Sequence, residues 1–134
     1  MTRMDDLTIR SGRCLCGAVR FETRGEPRFV SNCHCETCRR ASSAPSVTWA
    51  GFPDGQVRFS GETMIAYASS PGVTRSFCGR CGSPLAFKGD RWPGEIHLTV
   101  CAFDDAASMP PQSDHFENEK LPWSALLGAA HAGA

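Results

Sequence analysis

Seven of the eight cysteines in this 134-residue chain fall into three tight groups. The groups are a C-x-C pair, a C-x-C-x-x-C triplet and a C-x-x-C pair: Cys14 and Cys16; Cys33, Cys35 and Cys38; Cys78 and Cys81. Cysteines two or three residues apart are awkward disulfide partners, whereas a turn of that length aims two thiolates at one ion. The spacing therefore predicts metal binding rather than disulfides.

The number of grouped thiolates indicates which metal they bind and how. Thiolate-rich sites favour zinc first and iron–sulfur clusters second, but each cluster usually takes four cysteines, which does not fit seven. A structural zinc has four protein ligands, whereas a working zinc has three and an open position. The two pairs would then close one site, and the triplet would hold a second zinc with an exchangeable ligand. In the alternative, Cys101 or a histidine completes the triplet and both zincs are structural.

Polar side chains next to the triplet are candidates for a role in its chemistry. Arg39 and Arg40 follow it directly and would offset its negative charge or bind a substrate carboxylate, unless they form a solvated helix face. His34 lies between two ligands, so its ring is expected to point away from the metal, as a hydrogen-bond donor, a proton relay or a packing residue. Glu36 would relay a proton or be an ordinary acidic residue in the first turn of a helix.

The remaining candidates have ordinary explanations as the default. Cys101 is expected to be a buried free thiol that packs as a small hydrophobe. His97, within a strand, is expected at the surface or in the core, and His115 either bonds to backbone or contacts substrate. His131 is expected to be inert. Three aromatic residues either line a pocket or belong to the core: Trp49, Phe52 and Trp92.

Short strands separated by glycine and proline are the elements that must position these residues. A helical turn is predicted from Glu36 to Ala41, immediately after the C-x-C of the triplet. Strands are predicted at residues 18–23, 45–49, 56–59, 64–67, 73–77, 84–87 and 95–100. The sequence therefore predicts a single all-β domain of short antiparallel strands with one short helical turn.

Composition and charge exclude several classes of protein. The chain is 41% hydrophobic and 21% charged with a formal net charge of zero, so a disordered chain or a general nucleic-acid binder is disfavoured. The C-x-x-C knuckle would suit a zinc-ribbon nucleic-acid binder, but clustered basic residues are lacking. No stretch reaches the roughly 18 apolar residues of a membrane span. An early acidic N-terminus without an apolar region predicts no signal peptide and a cytoplasmic location.

The cysteine motifs resemble those of the glutathione-dependent formaldehyde-activating enzyme family, which also includes centromere protein V. The likeness runs from about residue 12 to residue 123. It is carried by residues 12–21 (GRCLCGAVRF), 33–40 (CHCETCRR), 77–85 (FCGRCGSPL), 114–116 (DHF) and 120–123 (KLPW). The implied organisation is an N-terminal extension at 1–11, a zinc-binding domain at 12–123 and a flexible tail at 124–134.

The resemblance implies a β-tent-like fold, two zinc ions per chain and a carbon–sulfur lyase or synthase activity. Carried over by position, a structural zinc would be bound by Cys14, Cys16, Cys78 and Cys81. A catalytic-type zinc would be bound by Cys33, Cys35 and Cys38. His34, Arg39 and Arg40 are candidates to contact substrate because of their place beside these ligands, not because of the resemblance. The implied partners are glutathione or a similar thiol and an aldehyde, as in S-(hydroxymethyl)glutathione. The alternative is a noncatalytic zinc-binding or glutathione-carrier module.

A zinc with three thiolate ligands suits this chemistry better than water activation. Its formal charge of about −1 makes it a weaker Lewis acid than a zinc with three histidines, so a soft thiolate is a suitable exchangeable ligand. Coordination deprotonates a thiol whose pKa of about 8.5 keeps it mostly protonated at neutral pH. We therefore expect capture of a substrate thiol, with no protein cysteine acting as the nucleophile.

Overall fold

Strands dominate the computed structural model, which describes residues 8–127. The elements are β1 (Ile9–Arg13), β2 (Arg20–Arg24), β3 (Phe29–Cys33), α1 (Glu36–Ser42), β4 (Val47–Pro53), β5 (Val57–Ser60), β6 (Met64–Ser70), β7 (Val73–Cys78), β8 (Pro84–Gly89), β9 (Glu95–Thr99) and β10 (Ser113–His115). The predicted all-β class and the helical turn after Cys35 are confirmed. Within this part of the chain, no helix is long and apolar enough to cross a membrane.

The strands form two sheets. The smaller sheet has the order β1-β2-β5, and the larger sheet has the order β10-β3-β4-β9-β8-β7-β6. All strand pairs are antiparallel except β10 with β3, which is parallel and departs from the predicted antiparallel arrangement. The chain reaches β10 through a long connection after β9 rather than through a hairpin, and such a connection permits parallel pairing.

Seven strands match runs that the sequence predicts, and three do not. β1, β3 and β10 carry the sequences IRSGR, FVSNC and SDH, which lack a regular apolar alternation. β1 begins at Ile9 and pairs with β2 along its length, so the predicted boundary at residue 12 falls inside a strand. Of the predicted tail at 124–134, residues 128–134 lie outside the described part.

The larger core lies between the two sheets. It includes the fully buried Val19, Phe52, Leu85 and Leu98, and Phe52 stacks on Phe103. Burying a side chain of this size stabilises the fold by about 1.5–3 kcal/mol. A smaller cluster lies against α1 and is made of Cys33, Cys38, Val47 and Trp49. Residues of this second cluster form one side of the site described below.

Candidate metal centre

Two turns from different sheets bring the four cysteines of the C-x-C and C-x-x-C pairs together. Cys14 and Cys16 lie in the connection from β1 to β2, Cys78 ends β7, and Cys81 lies in the turn before β8. Gly82 has a φ of 83° and its N–H donates to the Cys78 carbonyl at 2.7 Å, which closes this turn. A tight knuckle of this kind directs both of its sulfurs to one point.

The spacing of the four sulfurs fits one zinc ion. All four Sγ atoms lie within 4.8 Å of one another. The Cys14 and Cys16 sulfurs are 3.7 Å apart and those of Cys16 and Cys78 are 3.9 Å apart. Tetrahedral zinc with Zn–S bonds of about 2.3 Å separates its sulfurs by about 3.8 Å. The predicted grouping of these residues therefore matches a closed four-thiolate site.

Hydrogen-bond donors favour the thiolate form of Cys78 and Cys81. A backbone hydrogen bond from Ala18 lowers the pKa of Cys16, but burial and the neighbouring cysteines outweigh it and instead raise that pKa to about 11. The Ser83 hydroxyl lies 3.2 Å from the Cys81 sulfur, and its hydrogen bond lowers the pKa of Cys81 to about 5. The Thr63 hydroxyl lies 3.2 Å from the Cys78 sulfur and lowers the pKa of Cys78. Because zinc binds thiolates rather than thiols, these hydroxyls prepare the site for the metal.

The triplet is built by one strand end and one helix start. Cys33 ends β3, Cys35 caps α1 with its sulfur accepting the Cys38 N–H at 3.3 Å, and Cys38 lies in the first turn of α1. The three Sγ atoms lie within 4.8 Å of one another. Among residues 8–127, no further histidine, cysteine or carboxylate joins this group. The described part of the chain therefore brings three candidate ligands together and no fourth.

Three sulfurs this close cannot all ionise without a cation. Hydrogen bonds from the Cys33 and Cys38 thiols lower the pKa of Cys35, and the same sharing raises the pKa of Cys33. A second negative charge at this distance is disfavoured by repulsion. A soft divalent ion such as zinc would remove that repulsion, so the donor set fits the metal that the sequence predicts.

Arg75 of β7 supplies positive charge to the triplet. Its Nη2 atom lies 3.7 Å from the Cys38 sulfur and 3.3 Å from the Thr37 hydroxyl. Its guanidinium lies over the Phe87 ring, 5.1 Å from the ring centre. The arginines next to the triplet were expected to have this role, and Arg75 was not identified from the sequence. The sequence indicates only that Arg75 lies in a predicted strand.

Arg39 and Arg40 have other partners. Arg40 pairs with Glu36 at 2.8 Å on an exposed helix face. Arg39 donates to the backbone carbonyls of His34 at 3.3 Å and Glu119 at 3.4 Å. Neither arginine lines the cavity described below, and their contact with substrate stays a prediction.

His34 is buried and bonded away from the cavity. Its Nε2 atom lies 2.8 Å from the Asp114 carboxylate of β10, and its Nδ1 atom is buried without a hydrogen-bond partner. The ring therefore links the triplet to β10. A contact between His34 and substrate also stays a prediction.

A cavity of about 430 Å³ opens from the three cysteines. Arg75 and Arg91 contribute positive charge to its lining, and Glu36 and Glu119 contribute negative charge. Aromatic rings make up much of the rest: Phe29, Trp49, Phe87, Trp92 and Phe116. Trp49 and Trp92 therefore line a pocket, whereas Phe52 belongs to the core.

His97 faces the same cavity and is buried. Its Nε2 atom lies 2.7 Å from the Glu95 carboxylate, whose other oxygen accepts from Arg28 at 2.8 Å. Burial lowers the pKa of His97, although the bond to Glu95 raises it. His97 was expected at the surface or in the core, and its place in the cavity was not predicted. The sequence feature that could have indicated a role for His97 is Glu95. It lies two residues away and therefore shares the strand face with His97.

The predictions for Cys101 and His115 had different outcomes. Cys101 is exposed rather than buried, because β9 ends at Thr99 and Cys101 lies in the 3₁₀ turn that follows. The prediction of a buried thiol was wrong. His115 accepts the His34 N–H at its carbonyl at 3.0 Å and also lines the cavity. His131 lies outside the described residues.

Comparisons with known proteins agree with these motifs. A family described as "Glutathione-dependent formaldehyde-activating enzyme" matches residues 9–119. A Halomonas elongata protein named "Putative glutathione-dependent formaldehyde-activating enzyme" is 34% identical over 122 residues, which cover 85% of this chain and 78% of that protein. An uncharacterized lyase of Schizosaccharomyces pombe is 38% identical over 76 residues, covering 57% of this chain and 55% of that protein.

A solved structure has the same fold. The crystal structure of a Rhodobacter sphaeroides protein superposes with a TM-score of 0.61 at 23% sequence identity. The match covers 76% of this chain and 99% of that one. At this identity the likeness concerns the fold alone.

Proposed function

Because the chain belongs to the glutathione-dependent formaldehyde-activating enzyme family, we propose that it makes or breaks the carbon–sulfur bond of thiol–aldehyde adducts. S-(hydroxymethyl)glutathione is the prototype of such an adduct. The observation that carries the proposal is the group of Cys33, Cys35 and Cys38, which lies on a cavity and leaves one coordination position to a ligand from outside the described chain.

Two zinc ions per chain are part of the proposal. The sulfurs of Cys14, Cys16, Cys78 and Cys81 would hold a structural ion, and those of Cys33, Cys35 and Cys38 would hold the second. When bound at the triplet, zinc supplies a soft Lewis-acid position that keeps a substrate thiol ionised at neutral pH. Arg75, beside the Cys38 sulfur, offsets the negative charge that collects there.

His97 is the residue proposed to move the proton. With its Nε2–H donated to Glu95, the neutral ring keeps Nδ1 as an acceptor. In adduct formation, the thiol proton passes to Nδ1 as the thiol becomes ionised, and the thiolate sulfur then bonds to the carbonyl carbon. The electron pair of the broken C=O π bond goes to oxygen, and the oxygen then takes the proton from the ring. The reverse sequence returns thiol and aldehyde.

The charged residues of the cavity are suited to the ends of glutathione. Arg91 would bind a carboxylate, and Glu36 or Glu119 would bind the ammonium group. Glutathione is therefore the proposed thiol. A reducing cytoplasm is the proposed location, because both the protein cysteines and the substrate thiol must stay reduced.

Turnover of aldehyde with glutathione tests this proposal. Cys35→Ser should reduce the rate to the uncatalysed background, because it removes one sulfur from the triplet while serine preserves the helix cap. Cys101→Ser is the matched control, since Cys101 belongs to neither cysteine group, and it should keep the rate. A wild-type rate equal to background would contradict the proposed enzyme. Glutathione binding that depends on Cys35 without turnover would indicate a carrier.

A further inference from the structure

Three aromatic residues lie along one row of paired positions that crosses the large sheet next to the triplet. Phe29 of β3 pairs with Gly51 of β4, Gly51 pairs with His97 of β9, and His97 pairs with Phe87 of β8. Arg75 of β7 is the next member of the row, beside Phe87. The row therefore includes the residue that contacts the Cys38 sulfur, and it continues to Tyr67 of β6.

Ring contacts join this row into one surface. The Phe29 and His97 rings are 4.8 Å apart between centres, and the His97 and Phe87 rings are 5.4 Å apart. Phe87 also lies 6.0 Å from Trp49 and 5.6 Å from Trp92. We call Phe29, Trp49, Phe87, Trp92 and His97 the aromatic wall. All five line the cavity.

The surroundings hold these rings in place without a ligand. A Cβ at Gly51 would overlap the Phe29 ring, so glycine at this position lets the ring lie across β4 to reach His97. Arg75 covers Phe87 with its guanidinium 5.1 Å from the ring centre, and Arg91 covers Trp92 at 5.2 Å. The wall is therefore a preformed apolar surface rather than a loose collection of side chains.

A formaldehyde adduct has little apolar surface to place against this wall. Its aldehyde carbon carries two hydrogens and a hydroxyl, and the rest of glutathione is largely polar. We propose that the cavity selects adducts whose aldehyde carbon carries an apolar group, preferably an aromatic ring. This inference rests on the proposed function and names its substrate class. An aromatic ring next to the sulfur would bury apolar area against Phe87 and Trp92 in offset or edge-to-face contacts.

Two unreactive glutathione thioethers separate this preference from catalysis. S-benzylglutathione differs from the benzaldehyde hemithioacetal only by the missing hydroxyl, and S-methylglutathione lacks the ring. Calorimetric titration of the full chain, with its zinc content measured, should give a Kd for the benzyl compound at least about tenfold lower, as expected for burial of one ring. Neither sulfur ionises, so the difference reports the cavity rather than thiolate binding.

Variants of the wall give a second readout. Phe87→Leu and Trp92→Leu should each reduce the benzyl preference by roughly threefold or more, because each removes one aromatic face. Trp123→Leu is the matched control and should keep the preference, since Trp123 is exposed and does not line the cavity. Should both wall variants fail to fold, the wild-type comparison still decides the question.

Three results would overturn the inference. They are equal affinity for the two thioethers, no binding of either, and a preference that survives intact in folded Phe87→Leu and Trp92→Leu proteins. Failure of the proposed function has a different signature. A protein that prefers the benzyl compound but turns over neither formaldehyde nor benzaldehyde with glutathione would contradict the enzyme and leave the aromatic selectivity standing.

Discussion

His97 is a buried side chain whose surroundings favour its neutral form. Burial lowers the pKa of His97, and the charge of His115 lowers it further, while the Glu95 carboxylate raises it. Glu95 is itself bonded to Arg28, and the Phe87 ring that stacks on His97 also has the Arg75 guanidinium over it, 5.1 Å from the ring centre. The ring is therefore available as a proton acceptor at neutral pH.

The first prediction concerns the pH dependence that this ring imposes. The catalysed rate, expressed as kcat/KM over background, should fall as the pH drops and His97 becomes protonated, because a protonated ring cannot accept the thiol proton. His97→Gln should lower the rate by about 10²-fold or more and abolish the fall in rate at low pH. Glu95→Gln should shift that fall to lower pH, because Glu95 raises the pKa of His97. An unchanged profile in His97→Gln would contradict the role.

At this scale the cysteine groups were predictable, and Trp49 and Trp92 were candidate pocket residues, whereas Arg75 and the place of His97 in the cavity were not predicted. The groups within 14–16, 33–38 and 78–81 each lie within one turn, so their spacing alone predicts that the sulfurs of each group face a common point. Arg75 and His97 come to the cavity through the pairing of β7, β8, β9, β4 and β3. The pairing of β4 with β9 joins residues far apart in the chain, such as Gly51 and His97, and leaves no local pattern in the sequence.

β10 is a three-residue strand that ties the C-terminal segment to the triplet. Asp114 at its centre accepts from the His34 ring at 2.8 Å, from the Leu127 N–H at 2.7 Å and from the Asn32 amide at 3.5 Å. Burial raises the pKa of Asp114, but these three hydrogen bonds outweigh it and leave the pKa below its ordinary value. The carboxylate therefore stabilises the packing of β10 against β3.

The second prediction follows from the lowered pKa of Asp114. A carboxylate whose pKa is lowered by folding stabilises the protein above its unfolded pKa of about 3.9, and the stabilisation is lost as the pH falls through the folded value. Asp114→Asn should lower the free energy of unfolding by about 2 kcal/mol at pH 7. The difference from wild type should shrink below about pH 4.

Denaturant unfolding at several pH values measures this difference. Asp54→Asn is the matched control, because its ion pair with Lys88 is exposed and such pairs contribute about 0–1 kcal/mol. A deficit in Asp114→Asn that stays constant between pH 7 and pH 3 would show that ionisation of Asp114 does not stabilise the fold.

Strand content was predictable where apolar residues alternate and not elsewhere. β9 buries four of its five residues and its sequence EIHLT is rich in strand formers, so it was recognised. β1 and β10 carry charged and small residues and form because neighbouring strands offer hydrogen-bonding edges. Such edges are a property of the assembled sheet, and the short sequence of the added strand does not encode them.

The two cysteine sites have different relations to the whole molecule. The four-cysteine site joins the β1–β2 connection of the small sheet to the β7–β8 turn of the large sheet. The triplet is local, because its three residues come from one strand end and the helix that follows. A metal in the first site therefore cross-links the fold, whereas a metal in the second constrains only a short segment.

The third prediction is a difference in stability between the two sites. Cys81→Ser should lower the free energy of unfolding of the zinc-loaded protein by about 3 kcal/mol or more, as loss of a long-range cross-link does. Cys35→Ser should cost less, since serine keeps the helix cap. Thermal unfolding of both variants, with Cys101→Ser as control, measures this. Equal losses would contradict the division into a structural site and an open site.

The central claim is that the triplet holds a zinc ion whose fourth position accepts a substrate thiol. X-ray absorption at the zinc edge measures it directly on the full chain. A closed four-thiolate site and an open three-thiolate site predict about 3.5 sulfur ligands per zinc, rising to about 4 when glutathione is added. Two zincs per chain that already have four sulfurs each, or a sulfur count that glutathione leaves unchanged, would contradict the account.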